Sequence, residues 1–101
     1  MELYLSADSG WTEVTPLPQC RFECGAVVLD HQLYVLGGMV CDGQEGVSQR
    51  THDRGVERWN PDDNLWTKVA SMKQQRSALA VAALNGCIYA LGGYDGDNYL
   101  R

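Results

Sequence analysis

The sequence predicts an all-β fold assembled from a repeated sheet unit, and three observations carry that prediction. First, Ala80 to Gly93 reads AVAALNGCIYALGG, two short apolar runs around Asn85-Gly86. Asn-Gly between apolar runs signals a tight hairpin, because both turn residues must tolerate positive φ. Second, the same pattern stands 55 residues earlier, at Gly25 to Gly38, GAVVLDHQLYVLGG. Third, Asn60-Pro61-Asp62-Asp63-Asn64 is a turn by composition, set between two further short runs that contain tryptophan.

The 55-residue register extends without a gap from Trp11/Trp66 to Gly38/Gly93, with ten identities in 28 aligned positions. These include Gln19/Gln74, Arg21/Arg76, Tyr34/Tyr89, Leu36/Leu91 and both glycine pairs. Further back, Glu2 aligns with Glu57 and Tyr4 with Trp59. A period of this size dictates architecture. The motif order is Arg21, GAVVL, Asp30-His31, LYVLGG, a loop, Val56-Glu57-Arg58-Trp59-Asn60-Pro61 and Asn64-Leu65-Trp66. This order resembles the kelch repeat over almost the whole chain, and the wording TKVASM and GGYDG is most similar to BTB-kelch proteins. The resemblance implies a β-propeller with one four-stranded blade per repeat.

Each element follows in order. Residues 1–14 are expected to be the outer half of a blade: Met1–Leu5 as its third strand, Ser6–Gly10 as a turn, Trp11–Val14 as its outermost strand. Thr15–Cys20, with Pro16 and Pro18, crosses to the next blade, since proline suits a segment that donates no ladder hydrogen bonds. Residues 15–69 form one complete repeat, with Glu23–Leu29 and Leu33–Leu36 as inner strands, Gly55–Trp59 as the third and Trp66–Val69 as the outer one. Its 17-residue loop, Met39–Gly55, exceeds the usual ~2–6 residues between elements, and such loops tend to be functional or disordered. Residues 70–101 supply a crossover and the inner half of the next blade. AVAAL and CIYAL do not alternate, which predicts strands buried on both faces between other sheets. The glycine pairs mark positive φ or a place where a side chain would obstruct the backbone.

A propeller closes with about four to eight blades, so two strands, four strands and two strands are a piece of one. The chain is then an isoform, a truncated product or a segment of a longer protein. Alternatively, residues 1–14 complete the blade begun by Ser77–Gly93, within one chain or by swapping between copies.

Composition narrows the function. A hydrophobic fraction of 45% is that of a globular domain. A net charge of −5 without a Lys/Arg run argues against nucleic acid or an anionic membrane as partner. No apolar run reaches the ~20 residues of a membrane span, and MELYLSADSGW does not read as a secretory signal. Cys20, Cys24, Cys41 and Cys87 lack the paired spacing of a zinc site and read as thiols of a reducing compartment, which predicts a cytoplasmic protein. Cys87 is expected in a buried strand.

Candidate chemistry is sparse. No catalytic residue, metal site or cofactor is expected: Cys41, Asp42, Glu45, His52 and Asp53 follow no ligand spacing, and there is no nucleophile elbow, phosphate loop or zinc-protease motif. The copper-oxidase chemistry of some kelch-like propellers needs paired histidines that the chain lacks. Trp11, Trp59, Trp66, Tyr34, Tyr89, Gly37, Gly38, Gly92, Gly93 and Glu57 read as the structural signature of the repeat. Glu2 and Glu57 are expected to anchor a turn or pair with an arginine rather than to perform acid–base catalysis.

The resemblance places a partner-binding rim where each chain segment enters an innermost strand and where it leaves the glycine pair. In this sequence those positions are Arg21, Phe22, Glu23, Met39, Arg76, Ser77, Ala78, Tyr94 and Asp95. Two readings of Arg21 and Arg76 stand side by side: guanidiniums ringing a channel mouth to grip a carboxylate, or arginines that bond carbonyls and the recurrent Glu. Glu23 and Met39, where a basic and an aromatic residue are expected, change the partner. The implied function is substrate recognition for a cullin-3 ubiquitin-ligase adaptor, with cullin-3 bound only through BTB and BACK domains that these residues do not contain. The alternatives are an actin-binding kelch protein and a truncated product without independent activity.

Overall fold

The computed structural model describes residues 1–6, 10–41 and 50–101. Among them the chain forms eleven strands and no helix. They are β1 (Glu2–Ser6), β2 (Gly10–Glu13), β3 (Arg21–Phe22), β4 (Gly25–Leu29), β5 (Gln32–Leu36), β6 (Met39–Cys41), β7 (Arg50–His52), β8 (Val56–Asn60), β9 (Leu65–Val69), β10 (Ala80–Leu84) and β11 (Cys87–Leu91). One four-stranded antiparallel sheet, β4-β5-β8-β9, is the complete blade, and β1-β2 and β10-β11 are two-stranded sheets. The sheets amount to about two propeller blades, one whole and two two-stranded halves.

The 55-residue period holds in the strand registers. Gly25 pairs with Leu36 and Leu29 with Gln32 in β4-β5, while Ala80 pairs with Leu91 and Leu84 with Cys87 in β10-β11. Trp59 pairs with Trp66 and Arg58 with Thr67 in β8-β9, and Tyr4 with Trp11 and Leu3 with Thr12 in β1-β2. Adding 55 to one set gives the other. Both hairpin turns carry positive φ at both residues: 51° and 63° at Asp30-His31, 52° and 78° at Asn85-Gly86.

Three expectations are corrected in detail. The innermost strand starts at Gly25 rather than Glu23, because Glu23 has φ 55° and turns the chain away from the ladder. Ala78, its repeat counterpart, has φ 53°. The kink detaches Arg21–Phe22 as β3. The segment expected as a loop after Gly38 pairs instead: β6 and β7 form a hairpin that adds to β3 as a separate three-stranded sheet, with Asp42 and Glu45 outside the described residues. Finally, β10 and β11 are apolar but largely exposed, Cys87 included; among the described strands β4 alone packs against them. The core lies in the complete blade, where Val35, Leu36, Val56 and Trp59 are buried.

The glycine pairs combine both expected properties. Gly38 has φ 83°, and a Cβ there would meet the Phe22 carbonyl at 2.6 Å; Gly93 has φ 94°, and a Cβ would meet the Ser77 carbonyl at 2.7 Å. Neither close neighbour is a side chain that could swing away.

Candidate partner-binding rim

The starts of β4 and β8 and the ends of β5 and β9 share one end of the blade, beside the β3-β6-β7 sheet. This is the rim that the repeat pattern singles out. Its joint to the next hairpin is made by backbone. The Gly38 amide donates to the Arg76 carbonyl at 2.6 Å, the Arg76 amide to the Asp53 carbonyl at 3.0 Å, and the Asp53 amide to the Gly38 carbonyl at 2.9 Å. The Ala78 amide donates to the Glu23 carbonyl at 2.8 Å, tying the two kinks together.

Arg21 is turned inward, its side chain only 1% exposed. Nη1 donates to the Gly37 carbonyl at 3.0 Å and to Asp53 Oδ2 at 2.6 Å, and Nη2 to Gln19 Oε1 at 3.4 Å. Nη2 also lies 3.6 Å from Glu57 Oε1, whose side chain is equally buried. That is an ion pair without a hydrogen bond, and among the described residues neither Glu57 oxygen has a hydrogen-bond partner. Glu57 therefore pairs with an arginine, as its recurrence suggested. Arg76 repeats part of this arrangement: Nη1 donates to the Gly92 carbonyl at 2.7 Å and Nη2 to Gln74 Oε1 at 3.4 Å. The geometry of both arginines is that of the structural reading, with the guanidinium bonding the carbonyl of the first glycine in the pair.

Two carboxyls respond to this environment. Burial raises Asp53, but hydrogen bonds from the Arg21 guanidinium and the Gly55 amide outweigh it and hold the carboxyl below its ordinary range. Asp95 is held low chiefly by backbone hydrogen bonds from Asn98 and Asp97.

Of the other rim positions, Glu23 and Ala78 are exposed and Phe22, Met39, Arg76, Tyr94 and Asp95 are half-buried. Ser77 is buried at 2% exposure, so it cannot meet a partner directly. Its amide donates to the Tyr94 carbonyl at 2.9 Å, its Oγ donates to the same carbonyl at 3.2 Å, and Oγ shares a 2.9 Å hydrogen bond with His52 Nδ1. A serine beside a histidine is the geometry of an activated nucleophile, but burial beneath Tyr94 closes Ser77 to substrate.

The rim also contains residues that the repeat pattern does not mark. His52, at the end of β7, packs edge-on to Tyr94 with centroids 5.5 Å apart, and Tyr94 stacks obliquely on Tyr99 at 5.1 Å. Tyr99 is 87% exposed. His52 has no counterpart 55 residues on within the sequence, and Tyr99 aligns with Gln44, so the repeat does not mark either. Beside the rim, a cleft of about 230 Å³ is lined by Arg21, Arg54, Asp53 and Lys68 among others. Of the signature aromatics, Trp59 Nε1 donates to Asn64 Oδ1 and Trp66 Nε1 to the Thr15 carbonyl, both at 2.9 Å, while Trp11 is 68% exposed. Tyr34 is half-buried and Tyr89 is 49% exposed.

Comparison with known proteins agrees with this geometry. The kelch motif model matches residues 20–73 and 75–101, so the chain belongs to the kelch-repeat family. It is 45% identical over 101 residues to human Kelch-like protein 28, covering all of this chain and 18% of that protein. It is 33% identical over 99 residues to human Kelch-like protein 31, covering 97% of this chain and 15% of that one. The chain thus spans less than a fifth of the length of these relatives. A solved structure, "Structure of YjhT", superposes with a TM-score of 0.70 at 28% identity, over 84% of this chain and 25% of that one.

Proposed function

We propose that this module is a substrate-recognition element of a BTB-kelch type ubiquitin-ligase adaptor, binding a polypeptide through the rim built by β3, β6, β7 and the loop around Tyr94. The observation that supports it most is the Tyr94–Tyr99 pair backed by His52, because an exposed aromatic cluster beside half-buried Phe22 and Met39 suits a protein hot spot. Arg21 supports the rim from beneath, and Glu23 and Asp95 give the surface acidic edges. Contact with cullin-3 belongs to domains other than kelch repeats. No catalysis is assigned to the chain, and its four free thiols suit the cytoplasm.

The test is affinity capture from cells with three baits: the unaltered chain, a Glu23→Lys/Tyr99→Ala rim variant, and an Asp62→Lys variant in the turn at the opposite end of the blade. The rim variant is expected to lose a specific partner at unchanged melting temperature, while the Asp62 variant retains it. Loss by both, or by neither, overturns the rim assignment. Accumulation of that partner when the proteasome is blocked favours the adaptor role, and cosedimentation with actin filaments favours the cytoskeletal alternative.

A further inference from the structure

Two of the four thiols face each other across the rim sheet. The register of β3 with β6 pairs Arg21 with Val40 and Phe22 with Met39, so one step outward sets Cys20 against Cys41. The Cys41 amide donates to the Cys20 carbonyl at 3.3 Å, which extends the ladder to this pair. Residues directly opposite in an antiparallel ladder project their side chains to the same face, and a hydrogen-bonded pair has its Cα atoms about 5.5 Å apart. That separation lies within the roughly 4.4–6.8 Å span of disulfides. Both residues are free thiols, Cys20 exposed and Cys41 half-buried. The other two cysteines are placed differently. Cys24 follows the Glu23 kink with its backbone against Gly38, and Cys87 stands opposite Leu84 at the turn of the β10-β11 hairpin.

We propose that Cys20 and Cys41 form a reversible dithiol–disulfide site, oxidised by a small-molecule disulfide of the glutathione class. The Cys20 thiolate, the more exposed of the two, attacks one sulfur of the oxidant, forms a mixed disulfide and expels one thiolate. The Cys41 thiolate then attacks the Cys20 sulfur, forms the internal disulfide and expels the second thiolate. Two protein thiols and one small disulfide become one protein disulfide and two small thiols. The two protons lost by the cysteines end on the released thiols.

The bond has a structural consequence. β3 holds to β6 through only two ladder positions of its own. A Cys20–Cys41 disulfide closes the segment that contains β3, β4, β5 and β6, and closing such a loop removes freedom from the unfolded chain. Oxidation therefore pins β3, which carries Phe22, to β6, which carries Met39. The site stands on the strand register and does not depend on which partner the rim takes.

The test equilibrates the chain in glutathione buffers of graded oxidised-to-reduced ratio, with and without urea, then alkylates the remaining thiols and maps linkages by fragment mass spectrometry. Cys20–Cys41 is the expected linkage without urea. It should be half-formed at a ratio at least about tenfold more reducing than in urea, where only a flexible chain holds the two thiols together. Cys24→Ser is expected to keep the linkage and to melt about 5 °C or more higher when oxidised than when reduced. Cys41→Ser should stop at a glutathione adduct on Cys20, with no such rise. A linkage to Cys24 or Cys87, adducts without a linkage in the unaltered chain, or the same ratio with and without urea overturns the proposal. So does an oxidised Cys24→Ser chain that melts no higher than the reduced one.

Discussion

Arg21 and Glu57 form a buried charge pair whose removal has a calculable cost. In Arg21→Met, the Glu57 carboxyl is left at 1% exposure without its arginine, and the Gly37 carbonyl loses its donor. Breaking a buried pair from one side costs about 3–5 kcal/mol, most of it the penalty of the stranded charge. The Asp53 contact adds little, under about 1 kcal/mol, because that carboxylate is 31% exposed and screened. The carbonyl hydrogen bond alone is worth about 1.5–3 kcal/mol and is not additive with the charge term. The expected loss is therefore about 3–5 kcal/mol for Arg21→Met alone. In Arg21→Met/Glu57→Leu no charge remains buried, and stability should return to within about 2 kcal/mol of the unaltered chain. Urea titrations followed by tryptophan fluorescence, at one protein concentration, measure both. A double variant no more stable than Arg21→Met, or an Arg21→Met loss below about 1 kcal/mol, would refute the assignment of Arg21 to the blade interior.

Other outcomes follow from the same geometry. Gly38→Val and Gly93→Val are expected to give no soluble, cooperatively melting protein, whereas Gly86→Asn should fold, because a Cβ at Gly86 meets nothing within 4 Å and asparagine tolerates positive φ. Asp53, whose carboxyl the Arg21 guanidinium and the Gly55 amide hold below its ordinary range despite burial, contributes stability above its unfolded pKa and loses it as pH falls through the lower folded value. Asp53→Asn should accordingly show a shallower fall in melting temperature below about pH 4 than the unaltered chain; parallel curves would contradict that. His52→Phe keeps a ring against Tyr94 but loses the Ser77 hydrogen bond, and should cost about 1 kcal/mol in the same titrations.

Most of the fold is legible in the sequence because the hairpins are local. Asp30-His31 and Asn85-Gly86 set the turns, the turns set the registers, and the 55-residue offset carries each register to its copy. The strand ends were less legible. Glu23 and Ala78 take positive φ although neither residue type favours it, so the kink that separates β3 from β4 leaves no compositional mark. Apolar runs predicted burial for β10 and β11, but burial depends on what packs against a strand, and here one neighbouring strand supplies it. In the candidate rim, the positions beside Arg21 and after Gly93 follow from the repeat pattern. His52, Asp53 and Tyr99 are not marked by the repeat: His52 and Asp53 have no counterpart 55 residues on within the sequence, Tyr99 aligns with Gln44, and the His52 contact to Ser77 crosses between repeats.

The rim as the partner-binding surface is tested most directly by photo-crosslinking in cells, with a photoreactive amino acid at position 99 in one chain and at position 62 in another. Both positions are exposed, and they lie at opposite ends of the chain's blades. A discrete crosslinked partner from position 99, absent from position 62 and lost on Glu23→Lys, is the predicted result. A partner captured from position 62 but not from position 99 would place binding at the other end of the blades and contradict it.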